Sequence, residues 1–214
     1  MLSKKGLCQN WKLYVIADPG AAKGRPLAET VLGAVNGGAN VIQLRDKTAS
    51  DSQMVQQARA LLKITKPRRI PLVINDRIEV AKAAGADGVH LGQMDRGLKT
   101  ARDILGENAI IGKSTHSEDE ALEAEREGFD YIGVGPVFKT PTKPDAAPVG
   151  LKLVRFASQN IRIPFVAIGG IDPTNIVQVR QAGAKIVAVV RAVMASEEPE
   201  KAAAELLQRL TENP

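Results

Sequence analysis

Pro71-Leu-Val-Ile-Asn75-Asp76, Ile78-Glu-Val-Ala-Lys-Ala-Ala84 and Gly85-Ala-Asp-Gly-Val-His-Leu-Gly-Gln93-Met-Asp95 form one stretch, and its reading decides the fold. Two apolar, β-branched runs, each closed by an acidic residue, flank a segment long enough for a short crossover helix. A strand–helix–strand unit sets its strands parallel and side by side, with both C-terminal ends on one edge. Asp76 and Asp95 are therefore expected on the same rim. Two carboxylates on a rigid rim suit a hard divalent cation, above all Mg²⁺ beside substrate phosphates. They also suit helix caps, and the pair alone leaves both readings open.

The same alternation fills the rest of the chain. Candidate strands are Leu13–Ala17, Val41–Leu44, Pro71–Ile74, Gly88–Leu91, Ala109–Gly112, Tyr131–Val134, Pro164–Ile168 and Ile186–Val190. Their apolar runs are continuous rather than alternating, as parallel strands buried on both faces require. Helix starts are marked by first-turn prolines at Pro26 and Pro199, a capping box of Ser117 with Glu120, and an Asp172-Pro173 N-cap. Stops fall at Gly37-Gly38, Gly85, Gly106, Gly128 and Gly183. Eight strands alternating with eight helices predict an α/β fold, a (β/α)8 TIM barrel forming one catalytic domain over residues 1–214. A doubly wound open sheet is the alternative, but no Gly-x-Gly-x-x-Gly follows the first strand.

Bulk properties narrow the function classes. The 214 residues are 44% hydrophobic and 25% charged, ordinary values for a water-soluble domain. No apolar run is long enough to span a membrane, and Met1-Leu-Ser-Lys-Lys lacks a signal-peptide core, which points to a cytoplasmic chain. The single Cys8 permits no internal disulfide. The net charge is +5 and the pI about 9.4. With only 3% aromatic residues there are few stacking platforms for nucleic acid, so the surplus is read as attraction for small anions. The densest basic run, Lys63 to Arg69, reads as a solvated helix end and linker.

In such a barrel, function lies in the loops beyond the strands' C-terminal ends. The second strand leads into Gln43-Leu44-Arg45-Asp46-Lys47, in which Gln43, Arg45 and Lys47 share parity. Arg can grip a polyphosphate bidentately while Lys acts as a point charge. Asn75 and Asp76 follow the third strand, Gln93 and Asp95 the fourth, and Ser114-Thr115-His116 the fifth. His90 reads as a satisfied core residue rather than a base, and neither histidine has a Ser or Cys partner for a triad. A long loop after the sixth strand carries Thr140, Pro141, Thr142 and Lys143, two hydroxyls and an ammonium. Gly169-Gly170 and Val190-Arg191 follow the last two strands, where barrels often bind phosphate.

Taken in order and spacing, these segments resemble the thiamine-phosphate synthase family. The similar stretches are Leu13-Tyr-Val-Ile-Ala-Asp, Gln43-Leu-Arg-Asp-Lys, Ile74-Asn-Asp, Gly85 to Asp95, Asp130-Tyr-Ile-Gly-Val-Gly-Pro-Val-Phe, Thr140-Pro-Thr-Lys and Ala167-Ile-Gly-Gly-Ile. The resemblance implies a transferase that joins hydroxymethylpyrimidine diphosphate to a thiazole phosphate, releasing diphosphate. By position it implies that Gln43 to Lys47 (Gln43, Leu44, Arg45, Asp46, Lys47), Asn75 and Ser114 hold the pyrimidine substrate. Asp76 and Asp95 then hold Mg²⁺ as the cofactor, and Lys143, Arg45 and Lys47 act on the leaving diphosphate. Thr140, Pro141, Thr142, Gly170, Val190 and Arg191 hold the thiazole phosphate. Lys113 and Arg191 depart from the commoner family residues and put local contacts, not the reaction, in question. Alternatives are a thiazole tautomerase-like isomerase and a non-catalytic phosphate-metabolite sensor. The implied partners are small phosphorylated substrates, with neither nucleic acid nor membrane; oligomeric state is left open, a homo-oligomer included.

Overall fold

The computed structural model of the chain describes Cys8, residues 10–142 and residues 146–212. Its strands are β1 (Leu13–Ala17), β2 (Val41–Leu44), β3 (Leu72–Asn75), β4 (Gly88–Leu91), β5 (Ile110–Thr115), β6 (Tyr131–Val134), β7 (Phe165–Ile168) and β8 (Val187–Val189). Its helices are α1 (Leu27–Asn36), α2 (Asp51–Thr65), α3 (Ile78–Ala84), α4 (Leu98–Leu105), α5 (Glu118–Glu127), α6 (Gly150–Asn160), α7 (Ile176–Gln181), α8 (Arg191–Met194) and α9 (Pro199–Thr211). Consecutive strands pair in parallel, and Leu13, Tyr14 and Val15 of β1 lie opposite Val187, Ala188 and Val189 of β8. That last pairing closes the barrel and excludes the open sheet.

Strand parity builds two cores. Leu13, Val15, Ile42, Leu44, Leu72, Ile74, Val89 and Leu91 turn outward into the helical layer. Tyr14, Ile16, Val41, Val73, Ile110, Tyr131, Val166, Ile186 and Ala188 fill the interior. Trp11 packs edge-on against Tyr14 (centroids 5.7 Å apart) and Tyr131 (5.0 Å), sealing the end at which the strands begin. The bulk of Tyr131 is admitted by Gly112, because a Cβ there would lie 2.2 Å from the phenol ring. Only glycine fits at that site of close approach.

Local differences from the sequence reading have physical causes. β5 continues to Thr115, since Ser114 and Thr115 pair with Gly133 and Val134 of β6. Ser114 is therefore a strand residue on a rigid wall rather than a loop residue. Among the described residues β8 is followed by two helices, the four-residue α8 and then α9, where one was expected. Pro26 occupies the cap position of α1, not its first turn. Asp172 closes a turn through Thr174 instead of capping α7, whose cap position is Asn175. Ser117 caps α5, but Glu120 accepts from the His116 N–H rather than returning to Ser117, so the box is half made. A complete box, Ser50 with Gln53, starts α2 instead.

Candidate active site

The C-terminal ends of the strands surround a cavity of about 440 Å³. Gln43, Arg45, Asn75, Ser114, Thr140, Pro141, Thr142, Gly170, Val190 and Arg191 line it, so ten of the residues singled out from sequence meet in one place. Leu44 and Asp46 do not. Strand parity sends Leu44 into the helical layer. The Asp46 carboxylate is engaged by Thr48, Ala49 and Gln57. Lys143 lies outside the described residues.

Lys47, Asp76 and Asp95 make a charged group on the adjoining rim. The Lys47 ammonium is paired with Asp76 Oδ2. Asp76 adopts a left-handed backbone (φ 63°), a conformation Asp tolerates better than most residues. Its N–H donates to the His90 carbonyl at 2.8 Å, which fixes the turn at the end of β3. Asp95 Oδ2 accepts from the Gly92 N–H at 2.6 Å. The loop holding Asp95 is fastened to β5 twice, by Lys113 Nζ on the Gly92 carbonyl (3.1 Å) and by Gln93 on the Ser114 carbonyl (2.6 Å). Lys113 thus points outward, over the Phe129 ring, and adds no cation to the cavity. Burial raises the Asp95 carboxyl pKa, the Gly92 N–H lowers it, and the neighbouring Asp76 carboxylate raises it again. Lys47 lowers it in turn, so the Asp95 carboxylate sits beside a like charge that a further cation would offset. No group of three or more His, Cys, Asp or Glu residues gathers among the described residues. The two carboxylates themselves are hard oxygen donors, a set that fits Mg²⁺ completed by phosphate and water rather than a thiolate or imidazole metal.

On the other side, the Arg45 guanidinium is paired with Asp18 at the exit of β1, leaving both side chains largely buried. Asp18 is itself held by the Gly20 N–H at 2.9 Å. Gly169 and Gly170 take positive φ values of 107° and 64°. A Cβ on Gly170 would lie 2.5 Å from the Lys139 carbonyl, so these glycines also let the loop after β6 run against the exit of β7. Phe138 N–H donates to Gly169 O at 2.9 Å along that contact.

Sequence reasoning missed Tyr14, Tyr131, Lys139, His116 and Asp172 as lining residues, and took His90 for core alone. His90 is both: it is 9% exposed, yet its ring forms part of the cavity wall. The available signal was polar aromatic residues inside otherwise apolar strands, at the parity shared by Gln43 and Ser114.

A sequence profile described as thiamine monophosphate synthase matches residues 13–193. The chain belongs to that family. A thiamine-phosphate synthase from Chloroflexus aurantiacus is 47% identical over 92% of this chain and 91% of its own length. One from Thermosynechococcus vestitus is 45% identical over 95% of this chain, which spans 57% of that longer relative. Among solved structures, thiamine phosphate pyrophosphorylase from Pyrococcus furiosus superposes with a TM-score of 0.87 at 40% identity, covering 95% of this chain and 97% of the other. The first two relatives are named as synthases and the third as a pyrophosphorylase, none of them as an isomerase or a sensor. No helix of the described residues is long and apolar enough to cross a membrane.

Proposed function

We propose that the chain is a thiamine-phosphate synthase acting on hydroxymethylpyrimidine diphosphate and hydroxyethylthiazole phosphate, as a Mg²⁺-assisted transferase of the cytoplasm. The observation that carries the reading is the meeting of two surfaces at one rim. A cavity offering the Gln43 amide and the Ser114 hydroxyl adjoins the cluster of Asp76, Asp95 and Lys47.

The bond between the pyrimidine methylene and the diphosphate oxygen breaks, and both its electrons leave with diphosphate. The aminopyrimidine ring stabilises the cation left on the methylene. The thiazole nitrogen then supplies its lone pair to that carbon. No proton must move, so no general base is required; His90 Nε2 lies 2.9 Å from Ser114 Oγ, a serine partner that the sequence did not reveal, but this reaction asks no proton of the pair. Arg45 and Lys47 neutralise charge growing on the leaving group, an electrostatic contribution. Asp76 and Asp95 would hold Mg²⁺, which supplies further charge neutralisation at the diphosphate when bound. Lys143 joins the same task by its place in Thr140-Pro-Thr-Lys. Gly170, Val190 and Arg191, with Thr140 and Thr142, provide the thiazole phosphate subsite.

The test is to incubate purified protein with both substrates and Mg²⁺ and to assay thiamine phosphate and diphosphate together. Equal amounts of the two products, lost on adding EDTA, are expected. A folded protein that binds both substrates and forms neither product would refute the assignment.

A further inference from the structure

Five polar side chains from five strands form one hydrogen-bonded line across the cavity floor. Gln43 Nε2 donates to the Tyr14 hydroxyl at 2.7 Å, and the Tyr14 and Tyr131 hydroxyls are 3.0 Å apart. Tyr131 Oη lies 3.0 Å from His90 Nδ1, and His90 Nε2 lies 2.9 Å from Ser114 Oγ. The two ends of the line, Gln43 and Ser114, are the groups placed against the pyrimidine.

The line has a direction. Both tyrosines are buried, and burial raises both phenol pKa values well beyond neutrality, so each keeps its proton. Tyr14 accepts from Gln43, and its own proton has Tyr131 Oη as acceptor. The Tyr131 proton then goes to His90 Nδ1, which must carry a lone pair. Neutral His90 therefore bears its hydrogen on Nε2 and donates it to Ser114 Oγ, freeing the serine hydrogen for the cavity. The direction is set by the Gln43 amide, whose Nε2 faces Tyr14; the opposite line, from Ser114 through His90 and Tyr131 to Tyr14, would need the Gln43 carbonyl there instead.

We propose that Tyr14, Tyr131 and His90 are positioning residues whose one-way hydrogen bonds fix Gln43 as an acceptor and Ser114 as a donor toward the aminopyrimidine ring. An amide that commits one N–H to Tyr14 keeps its carbonyl and second N–H. Those two groups match the amino hydrogen and adjacent ring nitrogen of an aminopyrimidine. The ligand in this statement rests on the synthase reading; the direction of the line does not.

Nitrogen-15 NMR of the two histidine rings, assigned with a His116→Gln variant, reads the direction without substrate. His90 is expected as the Nε2–H tautomer in the wild-type protein. Tyr131→Phe removes the donor to Nδ1, so the Nδ1–H tautomer should gain population. KM for the pyrimidine diphosphate should rise about tenfold, one hydrogen bond's worth, with kcat within about twofold. Tyr14→Phe should raise the same KM while leaving the tautomer in place, and it keeps the question open to test if Tyr131→Phe folds poorly. A purely structural role would lower the melting temperature of both variants without moving tautomer or KM, and that result overturns the proposal. So does an Nδ1–H tautomer in the wild-type protein. Failure of the wild-type protein to form thiamine phosphate overturns the ligand assignment alone.

Discussion

The Asp46 carboxylate accepts four hydrogen bonds, from the N–H groups of Thr48 and Ala49, the Thr48 hydroxyl and the Gln57 amide. Burial works against its ionisation, but the Gln57, Thr48 and Ala49 hydrogen bonds outweigh burial and hold its pKa down to about 2. A carboxyl depressed below its ordinary 3.8 stabilises the fold as the anion. That contribution is complete above the ordinary value and fades as pH falls toward the depressed one. Asp46→Ala is therefore expected to cost on the order of 1 kcal/mol at neutral pH. The gap to wild type should close between about pH 4 and pH 2. Urea midpoints at stepped pH measure it; an equal gap at both ends of that window would refute the account. Asp46 also shows where reading residues as a block goes wrong. Gln43 to Lys47 was taken whole, but parity and local bonding split it, with Gln43 and Arg45 at the cavity, Lys47 on the rim, and Leu44 and Asp46 turned elsewhere. Tyr14 and Tyr131 escaped notice for a related reason: their function depends on hydrogen bonds between strands far apart in sequence, which no local pattern encodes.

Elements carry the rim as units, and Arg77 joins two of them. It follows Asp76 at the start of α3, and its Nη1 donates to the Ala49 carbonyl at 2.7 Å and to Asp51 Oδ1 at 2.9 Å. Its Nη2 reaches the Asp46 carbonyl at 3.3 Å. The loop after β2, which presents Lys47, is thereby clasped to the turn after β3, which presents Asp76. A planar fork with several donors can serve three acceptors at once; a lysine ammonium on a flexible stem cannot hold that geometry. Arg77→Ala is expected to raise the Mg²⁺ concentration needed for half-maximal turnover roughly tenfold and to lower kcat by a similar factor, as a displaced rim predicts. Arg77→Lys should recover only part of both. Steady-state kinetics over a Mg²⁺ series, with circular dichroism to confirm folding, decide it. Unchanged Mg²⁺ dependence in Arg77→Ala would show that the clasp does not position the rim. The Lys47, Asp76 and Asp95 elements were legible in sequence because strand ends are marked by composition. The clasp was not, because an arginine beside a helix start looks like any surface charge.

At the scale of the whole molecule, closure is what turns a list of strand ends into one site. Continuous apolar strands and C′ glycines made the barrel legible, whereas the tandem α8 and α9 after β8 were hidden by their short separation. The closed barrel brings residues from Asp18 to Arg191 to one face, with the carboxylates of Asp18, Asp76, Asp95 and Asp172 and several cations around it. Lys47 answers Asp76, yet the Asp76 carboxylate still disfavours the Asp95 anion, which leaves free energy for a bound metal and its phosphate ligand to recover. Magnesium binds such sites through one or two carboxylates completed by phosphate oxygens, so metal and diphosphate should bind better together than either alone. A ligand at a hundredfold excess over its Kd stabilises by about 3 kcal/mol. For a chain of 214 residues that corresponds to a rise in Tm of roughly 5–10 °C. Diphosphate with Mg²⁺ is expected to give that rise, while Mg²⁺ alone, or diphosphate with EDTA, should give less than half of it. Asp76→Asn and Asp95→Asn should each abolish the extra gain, although neither substitution removes a cation from the diphosphate subsite. Differential scanning calorimetry of the three proteins under the three conditions separates the terms. An undiminished rise in EDTA would assign diphosphate binding to Arg45 and Lys47 alone and leave the two aspartates without a metal to hold.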